Sequence, residues 1–386
     1  MGEALRDYVL VGGGLQSGLI ALALCARRTA LRLALVEQDD RLGGNHTWCF
    51  HDTDVPPELS AAVAPLVVAR WGGYTVRFPG RERRLAIPYA AVTSERLDAV
   101  VRARIAAAGG AVMLGRRALA IEARRVVLDD GEEVTARAVI DARGPLPANG
   151  IAHARAPSGY QKFLGLELLL RRPHRLTEPV LMDATVAQYD GYRFVYTLPL
   201  AADRLLVEDT YFSDAPALDV EALRARVLDY AGALGLSVER TLREESGVLP
   251  MPWGGGPSPR AAAPLTAGYR GGFFHPATGY SFAVAARLAA TVAQVPPEAL
   301  DGPEMRSLAR GLRRQAHFAR ALNRLLFRWF EPGERWRVLE RFYGLPEETL
   351  RRFYAFETTA GDQARILVGQ PPRGLSLCHR LGAVST

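Results

Sequence analysis

Apolar and polar positions follow different periods in different parts of this chain, and each period predicts its own kind of element. Asp7-Tyr8-Val9-Leu10-Val11 is a short β-branched and apolar run that ends directly in Gly12-Gly13-Gly14. From Leu15 to Arg28 apolar residues recur at helical spacing, and Leu31 to Glu37 is the near-continuous apolar run that a strand buried on both faces needs. Together they predict a βαβ unit. Ser94 to Ala108 reads as a helix stopped by Gly109-Gly110. Strands are expected at Ala111–Leu114, at Arg124–Leu128 before an Asp130-Gly131 turn, and at Ala138–Asp141.

The middle of the chain has another character. Phe163–Leu170, Tyr192–Leu198 and Arg204–Tyr211 are strand-like, the last two joined by a short turn containing Pro199 and Asp203. Pro250 to Pro264 is rich in Pro and Gly and predicts a loop, whereas Phe282–Val292 predicts an apolar helix. From about Pro303 to Thr359 the pattern is helical, basic and aromatic. The layout is a nucleotide-type α/β part interrupted by an inserted sheet, followed by helices.

Length and composition narrow the function classes. The 386 residues are 48% apolar, enough for two domains with a substantial core. No run approaches the ~18 apolar residues of a membrane-spanning helix. Met1 to Arg6 lead into a strand without the charged-then-apolar order of a secretion signal. Cys25, Cys49 and Cys378 make no paired framework, so a reducing, cytoplasmic setting is expected. The net charge of +7 comes from arginines, with Lys162 the single lysine; either a high-GC coding background or a functional need accounts for that bias. With no dense basic tract and no nucleic-acid motif, nucleic acid is not expected as a partner.

Gly12-x-Gly14-x-x-Ser17 follows the dinucleotide pattern except at its third position, where Ser17 replaces Gly or Ala. Glycines in such a turn let backbone N–H groups approach a pyrophosphate at a helix N-terminus, whose dipole favours anions. Glu37 ends the second strand, where a ribose hydroxyl needs an acceptor, and Gly43-Gly44 follows after five residues. That spacing is similar to FAD-binding oxidoreductases; the plain alternative is an α/β unit with an exposed Glu37. Val139-Ile140-Asp141-Ala142-Arg143-Gly144 resembles the strand and turn near the adenine half of FAD. His275-Pro276-Ala277-Thr278-Gly279-Tyr280 resembles the Pro-x-x-Gly turn whose amides face flavin and pyrophosphate. The Gly-Asp that usually precedes this turn and holds the ribityl chain is replaced by Tyr269-Arg270.

The expected fold class is therefore α/β. A Rossmann-like FAD-binding domain (1–53, 92–150 and 262–300) carries an inserted antiparallel-sheet substrate domain (54–91 and 151–261) and a helical C-terminal region (301–386). Cofactor contacts are expected from Gly12, Gly13, Gly14, Ser17, Glu37, Gly43, Gly44, Gly144, Pro276 and Gly279. No second nucleotide fingerprint is present, since Gly254-Gly255-Gly256 leads into Pro257 and not into a helix.

Five segments carry a family resemblance. They are Gly44-Asn45-His46-Thr47-Trp48-Cys49-Phe50-His51, Leu181-Met182-Asp183-Ala184-Thr185, Asp190-Gly191-Tyr192-Arg193-Phe194-Val195-Tyr196, Leu206-Val207-Glu208-Asp209-Thr210-Tyr211, and Phe274-His275-Pro276-Ala277-Thr278-Gly279-Tyr280-Ser281. In this order they resemble the bacterial lycopene β-cyclases over roughly residues 5 to 375. The resemblance implies conversion of the ψ-ends of lycopene, and of related ψ-ended carotenoids, to β-ionone rings, through γ-carotene to β-carotene. It also implies FAD active in its reduced form, with NAD(P)H as external reductant, in a reaction without net redox change. A proton adds to the terminal double bond, the ring closes through a carbocation, and another proton leaves.

That chemistry makes physical demands. A carboxylic acid of ordinary pKa, about 4.3, is too weak to protonate an alkene unaided, so the site must stabilise a cation and exclude water. A negative charge ~4 Å away supplies on the order of 4 kcal/mol at an effective dielectric of ~20, about three powers of ten in rate. Reduced, anionic flavin provides such a charge, and aromatic faces add to it. The resemblance places the catalytic carboxyls at Glu208 and Asp209, with Glu208 as the acid. In a strand Glu208 shares a face with Leu206 and Thr210, and Asp209 with Val207 and Tyr211, so one of the pair points into an apolar cavity. A surface ion pair of Glu208 with Arg204 or Arg193 is the alternative. Tyr192, Phe194, Tyr196 and His275 are candidate substrate contacts, His275 being either a base or a structural histidine.

His46, Cys49 and His51 match no metal spacing, and Arg96 is either a phosphate contact or one more surface arginine. Lycopene resides in a bilayer, so peripheral association with the inner face of the cell membrane is expected. The aromatic and arginine-rich stretch His317–Phe356 is either that surface or a helical unit packed inward. A flavin redox enzyme on isoprenoids and an apolar-ligand carrier are the rival functions.

Overall fold

The computed structural model describes residues 5–27, 31–144 and 157–368; Cys378 and the end of the expected C-terminal region lie outside them. Arg6–Val11 and Leu33–Val36 pair in parallel with helix Leu15–Arg27 as the crossover. That helix buries every residue from Leu15 to Leu24. It can do so because it packs against helices Ser94–Ala107 and Phe282–Gln294 as well as the sheet, which explains why it is apolar all round. The sheet runs Ala111–Met113, Leu33–Val36, Arg6–Val11, Glu133–Asp141, Arg125–Leu128, Ala118–Ile121. Leu265–Thr266 adds in parallel to Glu133–Asp141. This short pairing returns the chain to the first sheet, and so delivers the 275–280 turn beside the glycine loop.

The second sheet has seven strands in the order Val238–Pro252, Ser158–Leu170, Arg204–Ser213, Tyr192–Ala201, Val180–Asp183, Tyr74–Phe78 and Arg81–Leu85. All neighbours are antiparallel except Val180–Asp183 with Tyr74–Phe78. One face packs Leu166, Leu205 and Val207 against Leu223, Val227 and Ala231 of helix Val220–Ala233. The other face is open to the cavity described below. A small third sheet joins Thr47–His51, Tyr89–Thr93 and Ala69–Trp71. It straddles the domain edges expected at 53 and 92.

Two expectations about proline fail for the same reason. Pro199 lies inside strand Tyr192–Ala201, so the turn is Ala202-Asp203. The neighbouring Val180–Asp183 reaches only Thr197, so the missing N–H of Pro199 has no ladder position to vacate on that side. The expected loop from Pro250 begins later, because strand Val238–Pro252 runs through Pro250 and Pro252 on the edge of its sheet. Edge strands tolerate proline.

The C-terminal helices Pro303–Trp329, Arg335–Phe342, Glu347–Tyr354 and Ala360–Leu367 span both cores: Met305, Leu312, Ala316 and Ile366 pack on the first, and Leu326, Phe327, Trp336 and Leu350 on the second. Phe327, Tyr343 and Phe353 are buried, so much of the aromatic stretch packs inward. Among the described residues no helix is long and apolar enough to cross a membrane.

Candidate active site

A cavity of about 1020 Å³ opens between the first sheet, the open face of the second and the C-terminal helices. Gly12, Gly13, Gly14, Glu37, Gly43, Gly44, Gly144 and Gly279 line it on the nucleotide side. Gly12 has φ +95°, and a Cβ there would lie 2.8 Å from the carbonyl oxygen of Ala142, so this glycine is demanded by the fold itself. Gly14 differs: a Cβ there would meet nothing within 4 Å. It would enter open cavity in front of the Leu15–Arg27 helix N-terminus. The N-terminus of helix Phe282–Gln294 reaches the same cavity through Ser281 and Phe282, without a side-chain cap. Two helix starts facing one space suit a pyrophosphate. Glu37 accepts from the N–H groups of Gly13 and Asp39, which holds its carboxylate at the lip of that space. Tyr269 lines the cavity, stacks on Phe274 at 4.2 Å and donates to the carbonyl of Gly279, bracing the turn where a ribityl-binding Asp was missed in the sequence.

The acidic centre is built by strand pleating. Phe194, Tyr196, Glu208 and Phe212 line the cavity from adjacent strands. Glu208 is 3% exposed and accepts from Tyr196 Oη at 2.6 Å and Thr210 Oγ1 at 2.9 Å. Burial pushes its carboxyl above the usual range, Glu245 nearby pushes it further, and the two hydroxyls oppose. Glu245, on strand Val238–Pro252, accepts from Thr47 N at 2.9 Å and Arg243 Nη1 at 3.0 Å. Burial raises it too, against Arg243 and the Thr47 N–H. Between them stands Gly165, which pairs with Glu208 on one side and Glu245 on the other. A Cβ on Gly165 would sit 3.1 Å from Glu208 Oε2 and 3.3 Å from Glu245 Cγ. A methyl there would press on both acidic side chains.

A tyrosine-rich wall adjoins this centre. Rings of Tyr74, Tyr89, Tyr280 and Tyr354 surround His51 with centroids 5.0 to 6.2 Å away. His51 Nε2 meets Tyr74 Oη at 3.3 Å, and Tyr280 Oη donates to Asp54 at 2.5 Å. Leu326, Trp329, Leu339 and Phe342 continue the cavity as apolar wall.

Several expected residues lie elsewhere. Asp209 points to the opposite sheet face, fully buried, where Arg193 donates to it at 2.8 and 3.1 Å and Tyr211 Oη at 2.9 Å. Tyr192 is sealed beneath Phe194 and donates to Met182 Sδ at 3.3 Å. Ser17 is wholly buried within its helix, and Pro276 offers its carbonyl to Asn323 Nδ2 at 2.8 Å. None of these four is among the cavity-lining residues. His275 is absent from that wall as well; it sits between Phe353 and Phe356, both centroids at 4.7 Å, and accepts from Ala277 N. Burial pushes its imidazole down to about 3, so it stays neutral. Arg96 donates to the Pro65 carbonyl, away from the cavity. Among the described residues Glu208 makes no ion pair: Arg204 goes to Glu167 and Arg193 to Asp209. Glu245, Gly165 and the tyrosine wall escaped the sequence reading. No period in the stretch around Glu245 marks a strand, and its pairing beside Gly165 is visible only in the fold.

Comparison with known proteins agrees with the resemblance. The family model described as lycopene cyclase protein matches residues 7–379. The lycopene beta-cyclase of Pseudescherichia vulneris is 45% identical over 382 residues, covering 95% of each chain. That of Pantoea ananas is 42% identical over 372 residues, again 95% of each. Among solved structures, a geranylgeranyl bacteriochlorophyll reductase-like protein from Thermoplasma acidophilum superposes with TM-score 0.63 at 15% identity, covering 95% of this chain and 96% of its own. The flavin-dependent brominase Bmp2 gives TM-score 0.61 at 14% identity, with 92% and 94% covered. At such identities these two share the fold. With the family model spanning nearly all of it and relatives at 42% and 45% identity covering 95% of it, this chain belongs to the lycopene cyclase family.

Proposed function

We propose that this chain is a lycopene β-cyclase that closes the ψ-ends of lycopene to β-ionone rings, forming γ-carotene and then β-carotene. The observation that carries the reading is a buried, raised carboxyl, Glu208, facing an apolar and aromatic cavity continuous with a glycine cradle. A protonated acid, aromatic faces and exclusion of water are what alkene protonation needs. Glu208 gives its proton to the terminal double bond, and Tyr196 and Thr210 fix the carboxyl for that transfer. Phe194 and Tyr196 present ring faces to the developing cation. Asp209 is a positioning residue: clamped by Arg193, it holds the strand that presents Glu208.

The residues fit FAD. Gly14 leaves the space, two helix N-termini supply N–H donors, and Glu37 supplies a ribose acceptor. When bound in its reduced form, FAD supplies negative charge to the cavity; NAD(P)H is the external reductant. The proposed division keeps the first sheet as the FAD-binding part and the second as the substrate part. The reading includes a peripheral site on the cytoplasmic face of the membrane, and the character of the cavity mouth supports contact with a lipid surface. The mouth's lining residues Trp329 and Leu367 are 36% and 51% exposed, with Arg328 exposed beside Trp329. An apolar rim beside cations suits a lipid surface.

Expression in lycopene-producing cells tests the reading, with pigments separated and weighed. Cyclised product of unchanged mass is expected; a product lighter or heavier by hydrogens points to the redox rival. Gly14→Val tests the cradle, because it adds a side chain to open space without a clash. The folded variant should emerge without flavin, and full flavin occupancy would overturn the placement.

A further inference from the structure

We propose that Glu245 completes the acid: Glu208 and Glu245 hold one proton between them across Gly165, Glu208 delivering it to the substrate and Glu245 receiving the ring proton. This rests on the cyclase reading above. The chemistry of ring closure asks for such a pair. The carbon that gains a proton and the carbon that later loses one are both bonded to the same ring carbon, so donor and acceptor must stand close together. Glu208 and Glu245 do, one on each side of a residue with no side chain.

Charge balance says which partner carries the proton. Arg243 contacts Glu245 and Glu167, and Arg204 contacts Glu167. Two cations thus neutralise Glu167 and Glu245. Among the described residues no cation is left for Glu208, which has hydroxyl partners instead. Glu208 is the protonated member and Glu245 the charged one. The other groups facing the pair do not displace this assignment. Cys49 is raised by burial and stays a thiol. His46, lowered by burial and by Arg243, is a weakened base. Tyr89 and Tyr196 are both pushed up by burial and stay phenols. Asp209 is taken by Arg193 behind the sheet.

The cycle balances without a redox partner. The Glu208 proton bonds to the terminal alkene carbon, using that π pair. The next double bond closes the ring onto the resulting cation. The adjacent C–H pair becomes the ring double bond, and its proton passes to the Glu245 carboxylate. Transfer from Glu245 back to Glu208 over Gly165 restores the pair.

The test uses whole protein with FAD bound and compares wild type, Glu245→Gln, Glu245→Asp and Gly165→Ala. Flavin absorbance and melting temperature report folding of each. Wild type should show a bell-shaped pH–rate profile, since only the singly protonated pair works. Glu245→Gln should lose ~10²-fold or more in rate and move the alkaline limb to lower pH, because Glu208 no longer feels its neighbour's charge. Glu245→Asp should keep the bell at reduced rate. Gly165→Ala keeps both carboxyls but wedges a methyl between them, and should lose more than tenfold; it decides the matter where Glu245→Gln does not fold. Infrared carbonyl absorption gives a readout apart from activity. The neutral carboxyl band should vanish in Glu208→Gln and titrate at lower pH in Glu245→Gln. A folded Glu245→Gln or Gly165→Ala with wild-type rate, profile and band would overturn the pair. Wild-type protein that forms no ring while the band behaves as stated would instead sink the cyclase reading and leave the pair standing.

Discussion

Glu208 and Asp209 are neighbours in the chain and carry the same functional group, yet strand pleating sends them to opposite faces of one sheet. On the cavity face, Glu208 has two hydroxyl donors and, among the described residues, no cation. On the helix-covered face, Asp209 has both arms of the Arg193 guanidinium and the Tyr211 hydroxyl, with Leu205 and Val207 around it. Burial raises both carboxyls; for Asp209 the guanidinium is a strong counterweight, and for Glu208 the hydroxyls are a weak one. One face therefore stores a proton and the other stores an ion pair. Reactivity follows from which counter-charge burial leaves out, more than from burial itself.

Paired substitutions sharpen that contrast. Glu208→Gln keeps shape but removes the acidic proton, so turnover should fall by ~10²–10⁴ while flavin content and melting stay near wild type. Asp209→Asn should do the reverse. It leaves the buried Arg193 without its counter-charge, which costs on the order of 3–5 kcal/mol of stability, while turnover per folded molecule stays within a few-fold. Rate assays normalised to bound flavin, beside thermal melts, separate the two. A dead but stable Asp209→Asn with an active Glu208→Gln would exchange the roles of the faces.

The sequence showed this opposition because a period of two needs no tertiary information. The βαβ unit was legible for a similar reason: its run, glycine turn and helix are all local. Glu245 was not legible. It becomes significant only when strand Val238–Pro252 pairs with Ser158–Leu170 and brings it beside Gly165, and that strand was hidden by Pro250 and Pro252, which signal a loop everywhere except at a sheet edge. Ser17 and Pro276 were misplaced because motif positions say which residues surround a ligand, not which of them face it. Tyr192 fell to packing, since its ring lies under Phe194 on the same face.

The cavity face should also leave its mark on how stability depends on pH. Glu208 and Glu245 are raised in the folded protein, so folding favours their protonated forms. Their contribution is fully present below the unfolded value of about 4.3 and is lost as pH rises through the folded values, with ~1.4 kcal/mol for each tenfold weakening of the acid on folding. Wild-type stability should therefore decline across that window, and Glu208→Gln should flatten the decline. Melts in a pH series on both proteins measure it. Equal slopes would mean that Glu208 ionises as easily folded as unfolded, and the cavity face would lose its distinction.

The smallest effect is the most discriminating, because it removes the same atom from each face. Tyr196→Phe deletes the hydroxyl donating to Glu208 at 2.6 Å, and Tyr211→Phe deletes the one donating to Asp209 at 2.9 Å. Each costs on the order of 1 kcal/mol of stability, the ordinary net worth of a buried hydrogen bond. Only Tyr196→Phe should touch the chemistry. Its hydroxyl stabilises the charged form of Glu208, so its loss raises that carboxyl further and moves the alkaline limb of the rate profile to higher pH. Tyr211→Phe should leave the profile in place, since Asp209 stays bonded to both arms of Arg193 behind the sheet. The informative measurement is the position of the limb, which a uniform loss of folded protein does not shift. If both variants moved it equally, the two faces would be electrostatically continuous, and the sheet would not be the partition that separates proton from ion pair.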